Sequence, residues 1–179
     1  LHEALRIGER VLVEGDDDER FFKTILKSKF EEKYDSVTFW KYAQEKNTKT
    51  NDFLKSIKEM HHEYIYVADI DCAACVTRKK QEIRNKLKNI EPNKIMVIIK
   101  EIESWYLAGL DSENSKQLRI SFSNATDNLT KEQFNSLILK KFGSRIDLMA
   151  EILKYFSIKI AMQRNGSFRY FIEKYNCEV

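Results

Sequence analysis

One proline and five glycines in 179 residues leave the chain few breakers, so no Gly/Ser/Pro-rich linker divides it, and no internal repeat is visible. Three cysteines, an odd number, make no disulfide framework and suit a reducing compartment, so free thiols are expected. The longest purely apolar strand-like run is Ile95 to Ile99, far short of the ~20 residues that span a bilayer. No membrane helix is expected. The opening residues mix Leu1, His2, Glu3 and Arg6 without an apolar stretch, so no secretory signal is read there and a cytoplasmic location is the expectation. A dominant charge sign is also lacking. Lys and Arg number 31 against 28 Asp and Glu, a formal +3, too mild to coat nucleic acid, so any such contact must come from a local patch.

What is present suits an ordinary folded domain. Hydrophobic residues make up 42% and aromatics 12%, enough to offset the entropy of folding, while 33% charge gives a well-solvated surface. One domain is expected over 1–179: a core of about 10–110, a polar Ser/Asn-rich surface excursion at 111–130, and a helical extension at 131–179.

The first strong signal is Arg10-Val-Leu-Val-Glu14-Gly15, a β-branched run that stops at a glycine. Three aspartates follow, then Phe21, Phe22, Ile25, Leu26 and Phe30 at helical spacing, which predicts strand, turn and helix. Val37 to Tyr42 reads as a second strand, and Asn51 to His61 as a helix with Phe53, Leu54, Ile57 and Met60 on one face. Glu63 to Ala68 is a third strand ending at Asp69-Ile70-Asp71, and Val76, Ile83, Leu87 and Ile90 mark the next helix. Pro92 ends it, Lys94 to Ile99 supplies a further strand, and a helix runs from about Glu101 to Leu110. Alternation of this kind implies right-handed crossovers and an α/β fold with a mostly parallel, four-stranded, Rossmann-like sheet flanked by helices. Three apolar stripes, Phe134/Leu137/Ile138, Ile146/Met149/Leu153/Phe156 and Phe168/Phe171/Ile172/Tyr175, make the last third helical.

Ligands of such sheets bind at the carboxyl ends of the strands. Glu14 ends the first strand and Asp69 and Asp71 end the third, so parallel strands bring all three to one edge. Alternation along an extended segment turns Asp69 and Asp71 the same way, with Ile70 into the core. Carboxylates grouped there repel unless a cation is present. An all-oxygen set without histidine favours Mg²⁺, or Mn²⁺, over zinc.

These residues carry a resemblance. Val13-Glu14-Gly15 after a strand, with a later strand ending in Asp-x-Asp, resembles the Toprim domain of topoisomerases, DnaG-type primases, OLD-family nucleases and ribonuclease M5 over about residues 10 to 110. Lys100-Glu-Ile-Glu103-Ser-Trp105-Tyr-Leu-Ala108 and Asn165-Gly-Ser-Phe-Arg169 are similar to segments of small stand-alone Toprim-like proteins of the OLD, RloB and DUF4276 type, linked with bacterial defence. The resemblance implies that Glu14, Asp69 and Asp71 hold one or two Mg²⁺ ions, with Asp18 as a candidate ligand of the second. It implies Glu103 as a further catalytic acid and Lys100 or Arg169 as the group offsetting charge on the phosphate. The implied activity is metal-dependent hydrolysis of DNA or RNA phosphodiesters, in defence or RNA processing, with an ATPase or other effector as a partner class and no membrane.

Two departures limit the analogy. Cys72-Ala-Ala-Cys75 stands where topoisomerases and many primases carry a basic or glycine-containing segment, and the chain has no room for the separate tyrosine-bearing domain that strand passage needs.

Plainer readings accompany each feature. Asp16, Asp17 and Glu19 suit a solvated helix N-terminus, and Trp105 suits a core. Cys72 and Cys75 have metal-knuckle spacing without a second pair. Arg78, Lys79 and Lys80, joined by Arg84, Lys86 and Lys88, form a basic helix that binds phosphates or is simply solvated, and Arg164 and Arg169 carry the same two readings. The alternative functions are a receiver-like phosphoacceptor module, which also has acids after strand 1, an aspartate after strand 3 and a late lysine such as Lys100, and a catalytically silent nucleic-acid-binding domain.

Overall fold

The computed structural model describes residues 7–138 and 142–177. The N-terminal residues read above for a signal lie largely outside that range. The chain forms two compact units, Leu1–Val97 and Ile98–Val179, and each is taken by itself. No helix among the described residues is long and apolar enough to cross a membrane.

The first unit is built on strands β1 (Gly8–Val13), β2 (Ser36–Lys41), β3 (Glu63–Asp69) and β4 (Ile95–Ile98). They form one parallel sheet in the order β2-β1-β3-β4. Arg10 pairs with both Thr38 and Tyr64, and Leu12 with both Trp40 and Tyr66, so β1 is an inner strand. The chain works outward from β1 to β2, then returns across it to β3. That reversal opens a crevice at the carboxyl ends of β1 and β3.

Each strand is followed by helix, for local reasons. The acidic run after β1 becomes α1 (Asp16–Phe21): Asp18 folds back to accept the Gly15 N–H at 3.2 Å, closing the helix start. A wider π-helical turn, Phe22–Leu26, then leads into α2 (Lys27–Glu31). The looser turn re-phases the stripe so that Phe22, Leu26 and Phe30 are all buried. Helix α3 (Asn47–Glu59) starts four residues before the position read from its apolar pattern, since polar Asn47 to Thr50 already turn helically. Helix α4 (Val76–Lys86) follows β3. Alternation along the strands gives the sheet one face of Leu12, Tyr64, Tyr66 and Ala68, which packs with Leu54 and Ile57 of α3 and with Ile83 and Leu87.

The second unit is helical: α5 (Glu103–Ala108), α6 (Ser112–Leu118), α7 (Lys131–Ser136), α8 (Arg145–Lys154), α9 (Ile158–Arg164) and α10 (Gly166–Tyr175). All six residues of α5 are buried. Two of these helices were not read from the sequence. The polar stretch 111–130 contains α6, because Asp111 caps it by accepting the Asn114 N–H at 2.7 Å. Helix α9 is separated from α8 by a fresh cap at Ser157, whose hydroxyl accepts the Ile160 N–H at 3.3 Å. Gly109 is required where it stands, since a Cβ there would lie 2.4 Å from the Phe156 ring.

At the amino end of β1, Glu9 is 2% exposed and its Oε1 accepts no hydrogen bond. Burial raises its pKa from the ordinary 4.5 to about 7, against the pull of Tyr34, Lys94 and Arg10. Folding therefore favours the protonated form. Below pH 4.5 both states hold the proton and there is no penalty; between 4.5 and 7 the unfolded chain ionises first and stability falls; above 7 the loss is complete. The expected size is about 3 kcal/mol at most. Denaturant unfolding of the parent and Glu9→Gln at pH 5 and pH 8 should show the parent losing stability at the higher pH and the variant losing much less; parallel losses would place the titration elsewhere.

Candidate metal and phosphate site

A cavity of ≈240 Å³ opens at the carboxyl ends of the first unit's strands, lined by Glu14, Asp71, Lys79 and Lys86 among polar groups and by Tyr42 and Tyr66 among aromatic ones. Glu14 arrives from the end of β1, half-buried beside Gly15. Asp71 arrives from the turn after β3 and is exposed. Of the three acids expected from the sequence to converge, Glu14 and Asp71 open into one space.

Asp69 is not among the residues that line the cavity. It is half-buried, with its Oδ1 out of contact with solvent. Alternation explains the separation. Tyr66, Ala68 and Ile70 belong to the face packed by α3 and α4, so Asp69 points to the other face. Asp71 does not continue that alternation. Its φ of 49° is left-handed, which reverses the chain and swings the carboxylate to the cavity side. Of the two aspartates expected to share a direction, Asp71 lines the cavity and Asp69 does not.

The Asp71 carboxylate is held by the Lys79 ammonium, eight residues on in α4. Lys79, Ile83 and Lys86 recur at helical spacing, so α4 presents a stripe with a cation at either end to the cavity. The tyrosine rings are stacked with centroids 4.3 Å apart, and the Tyr42 hydroxyl donates to the Val67 carbonyl at 2.8 Å. Burial pushes both phenols up, Tyr42 well above its ordinary value, with the Glu14 charge adding to the effect. They remain neutral hydrogen-bonding groups at any physiological pH.

Among the described residues no three His, Cys, Asp or Glu side chains stand close enough to form a ready-made metal cage. The donors that do share the cavity are carboxylates, which suit a hard cation. Mg²⁺ in particular is commonly held by one or two carboxylates, with waters and substrate phosphates completing its shell.

The other expected site residues have definite places. Asp18 is buried and engaged with the Gly15 N–H. Asp16 pairs with Lys41 at 2.5 Å and Asp17 with Arg20 at 2.7 Å, as a solvated helix start would. Arg78 is exposed and reaches Glu82 at 3.3 Å, and Lys80 is half-buried. Cys72 and Cys75 are exposed thiols, and the buried Cys177 thiol donates to the Tyr175 carbonyl at 3.4 Å.

Lys100, Glu103, Arg164 and Arg169 belong to the second unit. The Glu103 carboxylate is buried against the Arg145 guanidinium, which also donates to Asn135 at 2.9 Å. Burial raises the Glu103 pKa, and Arg145 opposes the shift. Arg164 donates to the Leu110 carbonyl, while Arg169 is exposed. The two motifs of this unit meet each other: Trp105 is fully buried and its Nε1 donates to Ser167 Oγ at 2.8 Å. Asn165 caps α10 through the Phe168 N–H at 2.9 Å and donates to Thr126 at 3.1 Å. Arg145, 42 residues from Glu103, was not singled out from the sequence, because nothing local marks a partner at that distance.

Comparison of the chain with protein-family models, with curated proteins and with solved structures returned no match.

Lys100 has a φ of 65° and is exposed. A left-handed lysine costs roughly 1–2 kcal/mol. Lys100→Gly is expected to raise the unfolding free energy by about 1 kcal/mol, measured by denaturant titration; a fall in stability would show that the lysine side chain contributes more than its backbone costs.

Proposed function

We propose that the chain binds Mg²⁺ or Mn²⁺ and hydrolyses phosphodiester bonds of DNA or RNA, as its resemblance to Toprim nucleases implies. The observation that carries the reading is the shared cavity of Glu14 and Asp71, carboxylates from neighbouring strand ends, with Lys79 and Lys86 on its wall. Paired acids and cations around one space suit a ligand that is both metal-bound and anionic.

Bound Mg²⁺ would supply Lewis-acid polarisation of a phosphoryl oxygen and acidify a water. Glu14 and Asp71, which line the cavity, would hold the ion. Lys79, paired with Asp71 on the cavity wall, would offset negative charge on a phosphate held there. Lys86 draws the phosphate backbone toward the cavity mouth. Asp18 fixes the start of α1 directly behind Glu14, so the carboxylate stays in place.

A second reading draws on a specific observation. The strand order β2-β1-β3-β4 is shared with flavodoxin-like receivers, in which an aspartate ending β3 is the phosphoacceptor. Asp69 has that place. Against it, a receiver gives no role to Asp71 on the cavity wall or to the helical second unit.

Incubation with single- and double-stranded DNA and RNA tests the first reading. Product is expected only with divalent cation, with loss of at least about 100-fold in Glu14→Ala and Asp71→Ala; activity that survives both changes would remove the site. Exposure to acetyl phosphate separates the second: stable label on Asp69, absent in Asp69→Asn, supports the receiver, and no label excludes it.

A further inference from the structure

The cavity beside Glu14 and Asp71 is more than a cation site, because one side of it is aromatic. Tyr42 and Tyr66 lie within 20° of parallel, and the Tyr42 hydroxyl is tied to the Val67 carbonyl. The platform is therefore set before any ligand arrives. Ile83 of α4, between Lys79 and Lys86 in the helix, and Leu87 just past its end add aliphatic surface to the cavity, and Glu45 adds a further carboxylate. Asn47, at the start of α3, brings an amide that both donates and accepts.

A bare phosphate or a cation alone would leave the aromatic part of the wall unused. The full set of walls suits a flat, polar-edged ring joined to an anion. At ≈240 Å³, below the ~300–1,000 Å³ of drug-sized sites, the space takes one such ring and excludes a base pair.

We infer that the cavity binds a single unpaired nucleotide, its base against the Tyr42 ring, which the buried Tyr66 backs, with Asn47 at the base edge and its phosphate toward Lys79 and Lys86. This deepens the nucleic-acid reading above and rests on it for the identity of the ligand. The substrate class becomes single-stranded or frayed nucleic acid, with an unpaired base entering before the backbone reaches Glu14 and Asp71. Stacking on an aromatic side chain is sequence-tolerant, since every base offers a π face, so preference among bases is expected to be weak.

Binding of a nucleoside 5′-monophosphate and of ribose 5-phosphate, compared by calorimetry in Mg²⁺, tests the inference without depending on hydrolysis, because neither ligand contains a diester. The nucleotide is expected to bind roughly 5- to 100-fold more tightly, the value of one stacked base. Tyr42→Leu should bring the two ligands nearly level, and Tyr42→Phe should keep the gap, because the ring remains when the hydroxyl is gone. Equal binding of both ligands to the parent protein, or no binding of either, would overturn the inference even where Tyr42→Leu fails to fold. Cleavage of nucleic acid with no such base dependence would overturn the base site and leave the hydrolysis reading standing. Base-dependent binding without cleavage would support the site and count against hydrolysis.

Discussion

The order in which four parallel strands are laid down governs everything else in the first unit. Because β1 lies inside, with β2 on one side and β3 on the other, the connections that leave β1 and β3 diverge and leave a gap at their carboxyl ends. Side chains that follow these strands face that gap rather than a neighbouring helix. Glu14 and Asp71 gain a common space from this arrangement, and Tyr42, which follows β2, forms part of its wall.

The rest of the unit holds that gap open and rigid. The face of Leu12, Tyr64, Tyr66 and Ala68 is clamped by α3 and α4, and Asn51 and Asn89 join the two flanks by hydrogen bonds of 2.8 and 3.1 Å. A short loop with a left-handed Asp71 delivers the second acid. Non-glycine residues in that region carry strain that surrounding structure must hold in place, and such positions concentrate at functional sites. Five of them occur among the described residues, none of whose glycines adopts positive φ. Two, Asp71 and Lys100, are residues singled out for chemistry.

In the second unit the motif residues work mainly on each other. Trp105, Ser167, Asn165 and Thr126 form a buried polar chain that orients α5 and α10, and Phe168 meets the Trp105 ring edge-on at 5.1 Å. A buried polar network left half-made is costly, so its members specify one arrangement of the helices. Glu103 with Arg145 is the charged counterpart of the same device, and removing Arg145 would strand the buried Glu103 carboxylate.

Periodicity alone determined the strand-helix alternation, the four strands, the acids at strand ends and the helical last third, because each is a matter of spacing along a few neighbouring residues. Helices α6 and α9 escaped it, since their capping residues, Asp111 and Ser157, carry them where apolar spacing is weak. Tertiary structure decided which carboxylates share a space. Asp71 lines the cavity and Asp69 does not, and no local pattern encodes the left-handed backbone that Asp71 adopts. Contacts over long separations, such as Glu103 with Arg145 or Tyr42 with Tyr66, likewise exist only once the chain has folded, because burial and orientation select among many chemically equal partners.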